Sequence, residues 1–214
     1  MSDPVKGNIR SGAGGRGLQA RATRRRIVDA GAALFIANGY AATTLEQIAD
    51  RAGVAVQTVY FHFGNKRSVL KQAVDIAAVG DDEPVALLER PWLEQARTET
   101  DPEQVIALWV GASREIMTRI APIMRVVRDA AGADPDMATQ WQANEQQRIT
   151  VFGVLARMLA DRGGLKPALS VGEATDIIFA LLGIELYLVF AGRGWTPARW
   201  EQWTVATLTA TLMR

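Results

Sequence analysis

The sequence has no cysteine, and His62 is its one histidine. Disulfides, thiol redox chemistry and thiolate metal sites are thereby excluded, and a single imidazole is too little for a histidine-based metal centre. Beyond residue 62 there is no histidine to activate a serine and no carboxylate–histidine spacing that would hold a metal. We therefore read the chain as a non-enzyme that needs no cofactor. Strand-type alternation of apolar and polar residues is also lacking, as is any internal repeat. The most apolar run, Ile177 to Ala191, is about 15 residues, includes Glu185, and falls short of the roughly 20 needed to span a bilayer. No signal-peptide pattern opens the chain. A soluble protein of the reducing cytoplasm, with no membrane partner, is the expectation.

What is present is a helix-forming chain of 214 residues with 49% hydrophobic content, enough for a sizeable core. Its net charge of +1 conceals an asymmetry. Residues 1–71 carry 11 Lys/Arg against 4 Asp/Glu, whereas residues 72–214 carry 13 against 19. A basic head can displace counterions from a phosphate backbone, and an acidic body would be repelled by it.

Local signals divide the chain. Residues 1–20 contain Gly7, Gly12, Gly14, Gly15 and Gly17 without hydrophobic period, so a flexible arm is expected there. The spacing is not that of a dinucleotide-binding loop, and no strand precedes it. From Ala22 a helical stripe through Ile27, Gly31 and Leu34 runs to about Asn38, where Gly39 stops it. Thr43 with Glu46, or Thr44 with Gln47, makes a capping box for a second helix ending before Gly53. A third helix covers Val56 to His62 and a fourth starts near Lys66. Asp101-Pro102, Asp134-Pro135, Ser170 with Glu173, and Thr196-Pro197 then open body helices at about 102–131, 135–161, 171–191 and 197–213. Residues 81–100 form a loop or short helix. The organisation expected is an arm (1–20), a head (21–66), a connecting helix (67–80) and a body (81–214), all-α throughout.

Within the head, two short helices that cross at a tight turn need a small residue on the first, a glycine at the turn and apolar inner faces. Ala49, Gly53, Val54 and Val59 satisfy these needs in order. Val56, Gln57, Thr58, Phe61 and His62 are then free to project outward as a reading surface. This is the pattern of a helix-turn-helix.

The stretch Thr44-Leu45-Glu46-Gln47-Ile48-Ala49-Asp50-Arg51-Ala52-Gly53-Val54, continued by Thr58-Val59-Tyr60-Phe61-His62-Phe63-Gly64-Asn65-Lys66-Arg67, strongly resembles the tetracycline-repressor (TetR) family of bacterial transcriptional regulators. Gly39-Tyr40 matches the family's Gly-aromatic end to its first helix. The resemblance is dense from about Thr23 to Leu70 and only architectural beyond. It implies a helix-turn-helix head on a helical-bundle domain for ligand binding and dimerisation. It also implies a homodimer on palindromic double-stranded DNA, and repression relieved by an unknown small-molecule effector. The cell compartment implied is the bacterial cytoplasm, at the nucleoid when bound. Thr43, Thr44 and Lys66 would meet phosphates from helix starts; Tyr60 and His62 resemble the family's phosphate-contacting aromatic pair. Val56, Gln57 and Thr58 would meet base edges, and Arg24 the backbone. Ala55 replaces a common serine cap, and Gln57 a common glycine. A DNA-binding protein governed by a protein partner, or by nothing, remains open.

Two expectations concern the body. The helix 171–191 is apolar nearly all round, and with Trp200, Trp203, Val205, Leu208 and Leu212 of the last helix it should build a four-helix dimer interface. Polar residues on apolar stripes suggest a pocket for a largely hydrophobic ligand, lined by Trp109, Ser113, Met117, Met124, Trp141, Asn144, Arg148, Phe152, Phe179 and Glu185. Arg148 and Glu185 could instead simply pair with each other across the bundle.

Overall fold

The computed structural model describes residues 12–80 and 89–214. Among these every regular element is helical, apart from an isolated antiparallel bridge between Leu165 and Met213. The head comprises α1 (Gly12–Ala42), α2 (Leu45–Ala52), α3 (Val56–Phe63) and α4 (Lys66–Val79). The body comprises α5 (Pro91–Thr98), α6 (Pro102–Ala131), α7 (Pro135–Asp161), α8 (Val171–Leu181), α9 (Ile184–Gly192) and α10 (Pro197–Leu212).

The first departure from expectation is at the start. Residues 12–20, read as part of a flexible arm, are the opening turns of α1, because Leu18, Gln19, Ala20 and Arg21 are good helix formers that propagate the helix backwards. The remainder of that arm, residues 1–11, lies outside the described residues. α1 is regular as far as Asn38; Gly39 then adopts φ 80° and reverses the chain before α2.

The head core is built from Ile27, Val28 and Phe35 of α1, Ile48 of α2, Val59 of α3, and Val69 and Leu70 of α4, all under 2% exposed. Gly31 sets how close α1 and α4 approach: a Cβ there would lie 2.6 Å from Val69 Cγ1. Gly53, at φ 66°, makes the left-handed turn between α2 and α3, and its N–H bonds the carbonyls of Ala49 and Asp50.

In the body α6 packs on α7 and α7 on α8, with α10 and α5 against α6. The expected caps are formed: Asp101, Asp134, Ser170 and Thr196 each accept a backbone N–H in the first turn of α6, α7, α8 and α10. α6 runs on through Pro122, which withdraws one hydrogen bond from the helix without ending it. Arg162 fastens the end of α7 to that of α5, donating to the carbonyls of Ala96, Arg97 and Glu99.

The apolar segment Val171–Gly192 has the length and composition of a membrane span, yet it is not the single helix expected for 171–191. It divides at Leu182 and at Gly183, which has φ −67° and ψ 142°. Glycine is the weakest non-proline helix former, and Leu182 fills the core at the break with no exposed surface. Nor are all the proposed interface residues on the outside. Trp200, Leu208 and Leu212 are buried in this chain's own core, because α10 must cover α6 before anything else. Val189, 59% exposed, and the half-buried Phe190, Trp195, Trp203 and Val205 remain towards the surface.

Candidate functional site

The surface of the head is shaped by α3, whose inner side is Val59 and Phe63. With those two turned inward, Gln57 is exposed, Tyr60 is 50% exposed and Phe61 is 85% exposed. Val56, Thr58 and His62 flank them, half-buried. Ala55 gives α3 no side-chain cap, as its identity requires, but α3 still begins at Val56. Thr44, not Thr43, caps α2: its Oγ1 accepts from the N–H of Gln47 at 3.2 Å, and Gln47 Oε1 accepts from the N–H of Thr44 at 2.9 Å.

Three residues expected to contact DNA also bond within the head. Thr43 is fully buried and its hydroxyl donates to the Gly39 carbonyl at 2.8 Å, closing the turn that Gly39 opens. Lys66 donates through Nζ to the carbonyls of Tyr40 (2.8 Å), Ala41 (3.2 Å) and Thr43 (3.0 Å), and sits 4.5 Å from the centre of the Tyr40 ring. The end of a helix leaves carbonyls without intrahelical partners, and an ammonium group with its donors so engaged is a clamp. Arg24 donates to the His62 carbonyl and to Gln72 Oε1, with its guanidinium 4.5 Å over the Phe63 ring. It braces α3 against α1 and α4. Sequence order could not reveal the roles of Lys66 and Arg24, which depend on where partners far along the chain fall.

Beneath the head lies a pocket of about 150 Å³, open to solvent beside Asp75 and Gln147. Trp109, Ser113, Met117 and Met124 of α6 line it with Asn144, Arg148 and Phe152 of α7. Residues of other helices, not expected there, also line it: Val74, Asp75 and Ala78 of α4, Trp92 of α5 and Ile184 of α9. The α4 residues could have been found from their i, i+4 spacing on the face of Leu70. Asn144 is held in place, accepting from Gln140 Nε2 at 2.7 Å and directing Nδ2 to the sulfur of Met124 at 3.2 Å. Trp92 and Trp109 meet edge to face at 5.2 Å.

Trp141, Phe179 and Glu185 do not line this pocket. Trp141 lies about a turn before Asn144 and packs at the core's margin. Phe179 is behind Arg148, its ring centre 4.6 Å from the guanidinium carbon. Glu185 is exposed in the first turn of α9, because the restart of the helix at Ile184 redirects its side chain. The guanidinium nitrogens of Arg148 are buried and none has a hydrogen-bond partner, so the expected alternative of an Arg148–Glu185 pair is not formed. Burial pulls Arg148 below the usual arginine range, opposed by the charges of Glu185 and then Glu145; a guanidinium remains a cation nonetheless.

The sequence pattern of bacterial regulatory proteins of the tetR family matches residues 27–73. Residues 27–73 form a TetR-family helix-turn-helix domain. The chain is 47% identical over 53 residues to TtgW, an uncharacterized HTH-type transcriptional regulator of Pseudomonas putida, a match covering 25% of this chain and 40% of that one. The chain thus spans well under two thirds of that relative's length. The fold as a whole is shared more widely. Superposition on NalD of Pseudomonas aeruginosa, the secondary repressor of a multidrug efflux pump, gives a TM-score of 0.68 at 21% identity and covers 91% of this chain and 98% of NalD. A complex of SmeT with triclosan gives 0.71 at 24% identity, covering 90% and 92%.

Proposed function

We propose that the chain is a sequence-specific transcriptional regulator, a repressor released from its operator when a small, largely hydrophobic ligand fills the pocket. One observation carries the reading: Val74, Asp75 and Ala78 of α4 form a wall of the pocket, while Val69 and Leu70 of the same helix are in the core of the head. A ligand that displaces α4 must therefore move the head, and the free energy available is its difference in affinity for the two positions. The TetR-type head, the exposed face of α3 and the basic balance of residues 1–71 support DNA as the partner.

In this reading Gln57, with Val56 and Thr58 beside it, meets base edges, and Thr44, Tyr60 and His62 meet phosphates. The regulator acts in the cytoplasm as a homodimer on a palindromic operator, since a two-fold dimer offers two recognition helices. Val189 and the aromatic group of Phe190, Trp195 and Trp203 suit the subunit contact: Trp195 stacks on Phe190 at 4.2 Å and Trp203 meets it at 4.8 Å. Selection of bound duplexes from a random pool tests the reading. A two-fold symmetric site is expected; an asymmetric site, or a monomeric mass in solution, would refute the dimer, and failure to enrich any sequence would refute the function.

A further inference from the structure

The three buried, unpartnered nitrogens of Arg148 and the size of the pocket that this residue helps to line bear on what fills it. A guanidinium presents a planar fork of donors, and burying it without acceptors costs more than leaving any neutral amide unpaired. Phe179 covers one face at 4.6 Å. Arg148 is also among the residues that line the pocket of about 150 Å³, whose other walls include Trp109, Met117 and Phe152. An apolar space of this order accommodates a benzene ring; pockets for drug-sized molecules run from roughly 300 Å³ upward. The carboxylates nearest in charge effect are Glu185 and Glu145, and neither bonds to Arg148. Asp75, at the α4 wall, is already ion-paired with Lys71 at 3.0 Å.

We propose that the pocket binds a single-ring aromatic carboxylate, its carboxylate accepting two parallel hydrogen bonds from Arg148 and its ring lying among Trp109, Met117 and Phe152. This rests on the reading of the pocket as the effector site and narrows it to a chemical class. A charged acceptor satisfies the fork in the geometry that guanidinium–carboxylate pairs adopt. The effector expected from the sequence, largely hydrophobic and of medium size, becomes smaller and anionic.

Benzoate, benzyl alcohol and benzylamine share the ring and differ in charge, so their affinities, measured by calorimetry and by Trp109 emission, decide the matter. Benzoate should bind at least about tenfold more tightly than benzyl alcohol, the scale of a charge-assisted hydrogen bond, and benzylamine most weakly. In Arg148→Met the preference for benzoate should vanish while benzyl alcohol still binds; Arg148→Lys should retain part of it. Circular dichroism establishes that each variant is folded. Equal affinity for benzoate and benzyl alcohol, tighter binding of benzylamine, or a preference that survives in Arg148→Met would overturn the proposal. Operator affinity is measured separately. Benzoate bound through Arg148 without operator release would leave the ligand class standing and refute ligand control.

Discussion

Arg67, in the first turn of α4, is ion-paired with Asp136, in the first turn of α7. Together with the bond from Arg119 Nε to the Ala77 carbonyl at 3.3 Å, it ties α4 to the body at both ends. Both Arg67 and Asp136 are substantially exposed, so solvent screens the pair and its contribution should be small. Asp136→Asn should lower stability by less than about 1 kcal/mol. The loss should disappear in high salt, which thermal unfolding across a salt series will reveal. A larger, salt-independent loss would mean that Asp136 acts through something other than this pair.

Lys66 offers a sharper test, because two roles predict different observables. As a clamp on the carbonyls of Tyr40, Ala41 and Thr43 it holds the α1–α2 turn. Lys66→Met should then destabilise the head by about 2 kcal/mol, the order expected for losing charge-assisted hydrogen bonds. If Lys66 instead serves only a phosphate, stability will be unchanged and the salt dependence of DNA binding will fall by about one unit of slope. Denaturant titration beside a salt series of operator affinity separates the two.

What could be read from the sequence follows from how local the signal is. Caps such as Thr44, Asp134 and Ser170 depend on a few adjacent residues, and the helix starts they set, at Leu45, Pro135 and Val171, fall where expected. The break at Gly183 was not legible, because one glycine within an apolar run costs a helix only about 1 kcal/mol and tertiary packing decides the outcome. Glu185 was misplaced as a consequence. The bonds of Lys66 and Arg24 are not legible at all, because their partners lie far along the chain, whereas Thr43 bonds Gly39 only four residues before it. The stripes on α6 and α7 revealed most of the pocket, while the contribution of α4 required knowing that the connecting helix lies across them.

Gly31 is a place where a single methyl should matter. Alanine is favoured over glycine in a helix by about 1 kcal/mol, but the added carbon would stand 2.6 Å from Val69 Cγ1. Overpacking of this kind costs about 1–3 kcal/mol and should win. Gly31→Ala is expected to lower stability, and Val69→Ala, destabilising alone, should be tolerated better in its presence. A double-mutant cycle by chemical denaturation checks this; strict additivity would show that α1 and α4 separate freely.

On α3, Gln57 and Phe61 lie one turn apart on the exposed side and should differ in kind. Gln57→Ala should alter preference at one base pair of each half-site by about 1–3 kcal/mol. Phe61, carrying no hydrogen-bonding group, should affect affinity through apolar contact such as a thymine methyl, and Phe61→Ala should weaken binding with no change in salt slope. Competition with single-substituted operators measures both. An unchanged site after Gln57→Ala would place base recognition on other residues.

The last prediction concerns stability rather than binding. Arg148 keeps buried guanidinium nitrogens without partners, and such a group weakens the unliganded fold. Its contact with Phe179 offsets about 2 kcal/mol as a desolvated cation–π interaction, less than the roughly 3 kcal/mol or more that a buried charge without hydrogen-bond partners costs. Arg148→Met preserves length and apolar stem while removing the charge, so the variant should be more stable than the native chain by about 1 kcal/mol, the difference of those two effects. Glu185→Gln, on an exposed residue not bonded to Arg148, should change stability by no more than about 0.5 kcal/mol. Were the two residues paired in solution, both substitutions would destabilise, and the double variant would lose less than the sum. Thermal and urea unfolding of the two single variants and the double variant distinguishes these outcomes. A stabilised Arg148→Met that no longer prefers benzoate would show that the charge is retained at the expense of the fold because the ligand needs it.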